Sequence, residues 1–303
     1  MAFTAKDVQN LRERTGCGMM DCKKALTEAG GDMEKAIELL REKGLAAQAK
    51  KSGRIAAEGI VYTYVDEAKK VGVVIEVNAE TDFVAKNESF QSFVASCAKA
   101  VAEQNPATVE ELMTCKADDQ FTVEEALREK ILTIGENMKI RRFARYEGEV
   151  VTYSHGGGRI GVMVKFDAPA DIAAKDGFKA MAKDVAMQVA AANPTYLDKA
   201  GVPADEIAKE KEILTQQAIN EGKPANIAEK MVMGRINKYY KEVCLLEQPF
   251  IKDGDITVSK YIENCAKELG GEIKAVSFVR FEKGEGLEKR EDNFADEVAS
   301  MMK

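Results

Sequence analysis

The sequence predicts an α+β protein in five parts: a three-helix N-terminal module, two duplicated α+β core subdomains, an antiparallel helical hairpin inserted into the second, and a C-terminal helix. Three observations carry that prediction. The chain has 303 residues, more than one core needs at roughly 100 to 200 residues per domain. Its composition, 45% hydrophobic and 31% charged with only 6 prolines, is that of a folded, helix-rich chain. The third is an internal repeat, which fixes architecture before any motif is read.

The N-terminal module comes first. Thr4 caps a helix with Val8 and Leu11 on one side, and after the break at Gly16 and Gly18 a second helix carries Met20, Cys22, Leu26 and Ala29. Asp32 caps a third over Met33 to Lys43, which Gly44 is expected to end. The following LAAQAKKSGRIAA is small, polar and basic and reads as a linker.

The repeat begins at Glu58-Gly59, followed by VYTY and VGVVIEVNA. It recurs 89 residues later as Glu147-Gly148, VVTY and IGVMVKFDA, each copy being two alternating β-rich runs about a turn. FQSFVASCAKAVAEQNP from Phe90 recurs 88 residues on from Phe178, with Phe90, Phe93, Val94, Cys97 and Val101 at helical spacing. TVEEALREKILTIGENMKIRRFARYE from Thr122 aligns without gaps, 135 residues later, with the stretch from Thr257: a helix, a glycine cap and a strand. Each copy therefore reads strand, strand, helix, helix, strand, with its helices on one face of a small antiparallel sheet.

The jump in offset from 88 to 135 leaves 47 inserted residues in the second copy, near Pro203 to Leu246. They form two helical runs parted by Gly222 and Pro224. Val232, Ile236, Tyr239 and Val243 are spaced like a coiled-coil seam that Ile207, Leu214 and Ala218 can face. A last helix, Asn293 to Met302, follows the glycines of EKGEGLEKR. The expected boundaries are 1–45 for the module, 46–57 for the linker and 58–147 for the first subdomain. The second subdomain takes 148–202 with 247–282, the hairpin 203–246 and the C-terminal helical part 283–303.

Composition excludes several chemistries. With 44 Lys and Arg against 51 Asp and Glu, a net of −7, coating nucleic acid is disfavoured. One histidine, His155, cannot build a multi-histidine zinc site or a relay. Six cysteines without a CxxC pair read as reduced, packed thiols. With no apolar signal core and no window approaching 18 apolar residues, the expected location is cytoplasmic. No Walker or GxGxxG sequence follows a strand, so neither cofactor nor metal, and no direct nucleotide, nucleic-acid or membrane binding, is expected. HGGGRIG, which holds His155, reads as a hairpin turn, because DEAKKVG has the same length in the first copy. Lys139, Arg141, Arg142 and Arg145 read as a solvated strand face; Met19 and Met20, with Lys23 one turn on, read as core filler or a small apolar patch.

The informative corner is Thr81 to Asn87, TDFVAKN, between the second strand and the long helix. Thr81 or Asp82 can cap a first turn there, and Asn87 the helix. The second copy reads ADIAAKD, which pairs Phe83 with Ile172. Phe83, seven residues before Phe90, either begins the core stripe or is an exposed aromatic anchor beside an acid, of the kind that enters a partner's pocket.

From TDFVAKN outward, the chain resembles the bacterial translation elongation factor Ts family, exchange factors of the GTPase elongation factor Tu. LRERTGCGMMDCKKAL, EVNAETDFVAKN, IGENMKIRR, HGGGRIGV, GKPANIAEKMVMGR, the QPF ending at Phe250 and RFEKGEGLEK carry the resemblance across almost the whole chain. It implies a ubiquitin-associated-like fold for the N-terminal module and the same order of parts. It also implies guanine nucleotide exchange by binding, with no covalent chemistry and no cofactor. Thr81, Asp82, Phe83 and Val84 match the wedge that dislocates the GTPase's magnesium, and Lys23, Ile134, Gly135, His155 and Ile251 match further contacts. The chain departs at Lys252, where the family's second apolar residue after QPF is charged. The rival readings are a non-catalytic adaptor and an enzyme of Asp and Glu alone, the latter requiring converging carboxylates. The hairpin is a candidate surface for self-association.

Overall fold

The computed structural model describes residues 3–15, 17–222 and 225–288, without the side-chain surroundings of 45 and 225–229. The expected helix from Asn293 to Met302 lies outside the described residues. Three helices come first: α1 (Ala5–Thr15), α2 (Met19–Glu28) and α3 (Met33–Lys51). Then follow β1 (Glu58–Asp66), β2 (Val71–Ala79), the single turn α4 (Asp82–Ala85), α5 (Glu88–Gln104), α6 (Val109–Thr114), α7 (Val123–Ile134) and β3 (Met138–Glu147). A similar series continues with β4 (Glu149–His155), β5 (Ile160–Asp167), α8 (Ala170–Ala173) and α9 (Asp176–Ala192). After the inserted α10 (Ala204–Asn220) and α11 (Ala225–Val243) come β6 (Pro249–Phe250), β7 (Asp253–Thr257), α12 (Val258–Leu269) and β8 (Lys274–Glu282).

The chain thus mixes helix and sheet. Strands β1-β2-β3 and β4-β5-β8 form two antiparallel three-stranded sheets of the same order. The register of one slips at Glu76/Val77 and of the other at Lys165/Phe166, again 89 residues apart. Thr122 and Thr257 cap α7 and α12, which end on Gly135 and Gly270 in the left-handed conformation that a glycine adopts without a Cβ clash. Phe90, Phe93, Val94, Cys97 and Val101 of α5 fill one core, and Phe178, Met181, Val185 and Val189 of α9 fill the other.

The two sheets meet in a near-symmetric contact through Val61, Val74, Met163 and Phe281. A Cβ on Gly72 would overlap Val150 and Met163, while one on Gly161 would overlap Val61. Gly72 and Gly161 are 89 residues apart, and so are Val61 and Val150. Each sheet thus presses the same valine into the gap beside the other's glycine. Gly161→Ala is expected to lower stability by about 2 kcal/mol through overpacking. Val61→Ala in the same chain should restore part of the loss, as urea unfolding of the double-mutant cycle will register.

Two expectations are corrected. Helix α3 does not end at Gly44 but runs to Lys51, so residues 46–51 of the expected linker are helical. Tertiary packing overrides a glycine penalty of about 1 kcal/mol: a Cβ on Gly44 would lie only 3.8 Å from Arg128 of α7, and Lys51 Nζ donates to the Ile131 carbonyl at 3.0 Å. In the inserted pair, Leu214, Val232 and Ile236 pack as expected, but Tyr240 joins them rather than Tyr239. The phenol of Tyr239 turns instead to the Glu206 carboxylate, which the Tyr196 hydroxyl also meets at 2.5 Å. The sequence reading missed the hairpin of β6 and β7, too short to show a period.

Candidate functional site

Strand β2 is buried along its whole length, and the chain must turn at its end to start α5. Thr81, extended at φ −129° and ψ 157°, precedes α4, yet its hydroxyl caps none of that turn's amides. It donates instead to Glu136 Oε1 at 2.7 Å, and the Thr81 N–H donates to Glu136 Oε2 at 3.0 Å. One residue earlier, Glu80 accepts the Asn137 N–H at 2.5 Å and pairs with Arg54 at 3.3 Å. The turn after β2 is therefore stitched to the turn after α7, tying Glu136, which follows Ile134 and Gly135, to Thr81 although 55 residues part them in sequence. Asn87 caps α5 as expected, accepting from Ser89 and Phe90.

Phe83 projects from this brace. It is 77% exposed, the most exposed large hydrophobic side chain among the described residues, while Val84 beside it is buried in the core below. Asp82 is exposed too and meets Lys86 Nζ at 3.3 Å. The core-stripe reading of Phe83 fails, since the buried stripe starts at Phe90. The pairing with Ile172 is also corrected. Turns α4 and α8 are offset by 88 residues, one fewer than the strands before them, so Phe83 corresponds to Asp171 and Val84 to Ile172. Both members of the first pair are exposed and both of the second buried. The second copy thus places an ordinary surface acid where the first places an aromatic ring.

The remaining candidates stand on separate elements and share no hydrogen bond with this corner. Lys23 is exposed on α2, beside Met19 and Met20, which are exposed rather than core filler. His155 ends β4, its Nδ1 3.1 Å from the Tyr153 hydroxyl. The turn after it docks on the first sheet, where the Gly158 carbonyl accepts the Val61 N–H at 2.8 Å. Ile251 is 46% exposed between β6 and β7, its N–H held at 2.8 Å by Oε1 of the buried Gln188. Lys252 turns its ammonium onto Asp184 of α9 at 2.6 Å, and the Tyr261 hydroxyl donates to the same carboxylate at 3.0 Å. Sequence reasoning missed Gln188, Asp184 and Glu136, whose bonds span 55 residues or more and leave no local pattern.

The expected solvated basic face is corrected for its three arginines, while Lys139 is exposed as expected. Arg141 and Arg142 turn onto the fully buried Glu76, and Arg145 reaches the Ala102 carbonyl and Glu147. The thiols are unsuited to attack, since burial pushes Cys17 and Cys244 up to about 11 and Cys97 higher still. All six cysteines are free. Among the described residues no group of three or more His, Cys, Asp or Glu is placed to hold a metal ion, and no helix is long and apolar enough to cross a membrane. What the corner offers is a fixed aromatic projection beside an exposed acid, a shape for binding.

The family model for elongation factor TS matches residues 80–285, beginning at the braced corner. Similarity to individual proteins runs further. Elongation factor Ts of Clostridium perfringens (strain SM101 / Type A) is 58% identical over 304 aligned positions, 99% of each chain. That of Clostridium botulinum (strain Eklund 17B / Type B) is 57% identical over 303, also 99% of each. That of Clostridium kluyveri (strain NBRC 12016) is 57% identical over 301, covering 98% of this chain and 97% of its own. On a match of this extent the chain belongs to the elongation factor Ts family.

Proposed function

We propose that the protein, an elongation factor of protein biosynthesis by its family, is the guanine nucleotide exchange factor of the GTPase elongation factor Tu. It binds the GDP-loaded GTPase, disturbs the magnesium and phosphate site and promotes release of GDP so that GTP can enter. No covalent step is involved. The observation that carries this reading is the exposure of Phe83 on a corner whose neighbours Val84 and Thr81 are buried or bonded in place. A large ring left in water is unfavourable for the free protein, at roughly 25 cal/mol per Å² of apolar surface that burial would recover. A partner pocket removes that surface from water.

Exchange then follows from linkage: a factor that prefers the nucleotide-free GTPase weakens the nucleotide by the same factor that the nucleotide weakens it. Phe83 fills an apolar slot, and the Asp82 carboxylate disturbs the groups that hold magnesium. Thr81 and Val84 fix the corner, and Lys23, Ile134, Gly135, His155 and Ile251 supply further contacts. In this reading the chain divides into the ubiquitin-associated-like module, two core subdomains, the inserted hairpin and the C-terminal helical part, with α3 carrying the module's last helix on through residues 46–51. Its place of work is the cytoplasm. Release of a fluorescent GDP analogue from elongation factor Tu tests the reading. Acceleration by substoichiometric protein is expected, whereas binding without acceleration would make the protein an adaptor.

A further inference from the structure

Among the described residues, Glu136 is the one side chain that bonds Thr81 at the entry to α4. Its carboxylate takes both the N–H and the hydroxyl of Thr81, at 3.0 and 2.7 Å, as a charge-assisted fork. The second copy supplies a control. There Pro169 holds the place of Thr81 and has no N–H to donate, and Gly271 holds the place of Glu136 and has no side chain. A Cβ on Gly271 would sit 2.6 Å from Ile172, so the aliphatic side chain fills that space itself. The fork therefore occurs in the copy that carries the exposed Phe83, and is missing where the equivalent residue is Asp171. A four-residue turn has little stability of its own.

We infer that Glu136 is a positioning residue for exchange, acting through Thr81 to hold Phe83 in its outward direction before the partner arrives. The inference rests on the proposed exchange function and adds to it a residue that touches neither nucleotide nor GTPase. Preorganisation of this kind spares the ordering cost that binding would otherwise carry. Glu136→Ala should cut exchange efficiency about tenfold, some 1.4 kcal/mol. Thr81→Ala, which loses the hydroxyl and keeps the N–H, should fall between Glu136→Ala and the parent protein.

A double-mutant cycle with Phe83→Ala separates positioning from direct contact. The test uses the full chain, fluorescent GDP release from elongation factor Tu, and hydrogen exchange of the Asp82–Ala85 amides in the free protein. If Glu136 works through the ring, its loss costs nothing further once Phe83 is alanine, and the corner amides exchange faster in Glu136→Ala. Additive losses, or an unchanged release rate for Glu136→Ala, would overturn the inference while leaving the exchange reading intact. An unchanged rate for Phe83→Ala would remove the exchange reading and this inference with it. Should Glu136→Ala unfold, Thr81→Ala combined with Phe83→Ala decides the same question, a loss that vanishes once Phe83 is alanine supporting the inference and an additive loss overturning it.

Discussion

Phe83→Ala is expected to lower the efficiency of GDP release by about thirtyfold or more, the loss that truncating an anchor residue worth about 2 kcal/mol produces. Its stability should stay within about 0.5 kcal/mol of the parent protein, because a ring 77% exposed leaves no cavity when removed. Val84→Ala is the matching control one residue on. Val84 is 6% exposed and packed in the first core, so its truncation should cost about 2 kcal/mol in urea unfolding and affect exchange only through what it does to the corner. Opposite outcomes at adjacent positions would be hard to reconcile with any account in which both residues belong to the same apolar stripe.

Glu76→Ala should be the more damaging change to the fold, at about 3 kcal/mol in equilibrium unfolding. Its carboxylate is fully buried. It accepts from Arg141 Nη1 at 3.1 Å, Arg142 Nε at 2.7 Å, Asn78 Nδ2 at 3.1 Å and the Gly284 N–H at 2.8 Å. Gly284 follows β8, so this carboxylate joins the first sheet to the turn that closes the second. Arg142 extends the lock, lying over the Phe281 ring at 4.2 Å and meeting Glu285 at 3.1 Å. The two guanidiniums are partly exposed, at 23% and 30%, which holds the loss near the lower end for a broken buried pair. Glu76→Gln keeps the shape and forfeits the charge, so it should fall between alanine and the parent protein. Equal stability of all three would contradict the assignment of this carboxylate as the clamp between the sheets.

The repeat made most of the element order legible, because period-2 and helical patterns recur at constant offsets. It misled at one place for a definite reason. The chain loses one residue between β5 and α8, where no periodic pattern marks the slip, and an alignment by identity therefore matched Phe83 to Ile172 instead of Asp171. Exposure of Phe83 could not be read from its spacing to Phe90, since a helical stripe extended backwards ignores the break at Asn87. The continuation of α3 past Gly44 was likewise hidden, for what sustains it is the surface of α7, some eighty residues away. Charged residues were read by their neighbours in sequence, yet Arg141 and Arg142 answer to Glu76 on the adjacent strand.

The most direct measurement is the affinity of elongation factor Tu for GDP with and without saturating protein, set beside the affinity of the protein for the GDP-loaded and nucleotide-free GTPase. The account predicts that GDP affinity falls, and by the same ratio that separates the protein's two affinities, with Phe83→Ala shrinking both ratios together. Tight binding of the protein that left GDP affinity unchanged would contradict it.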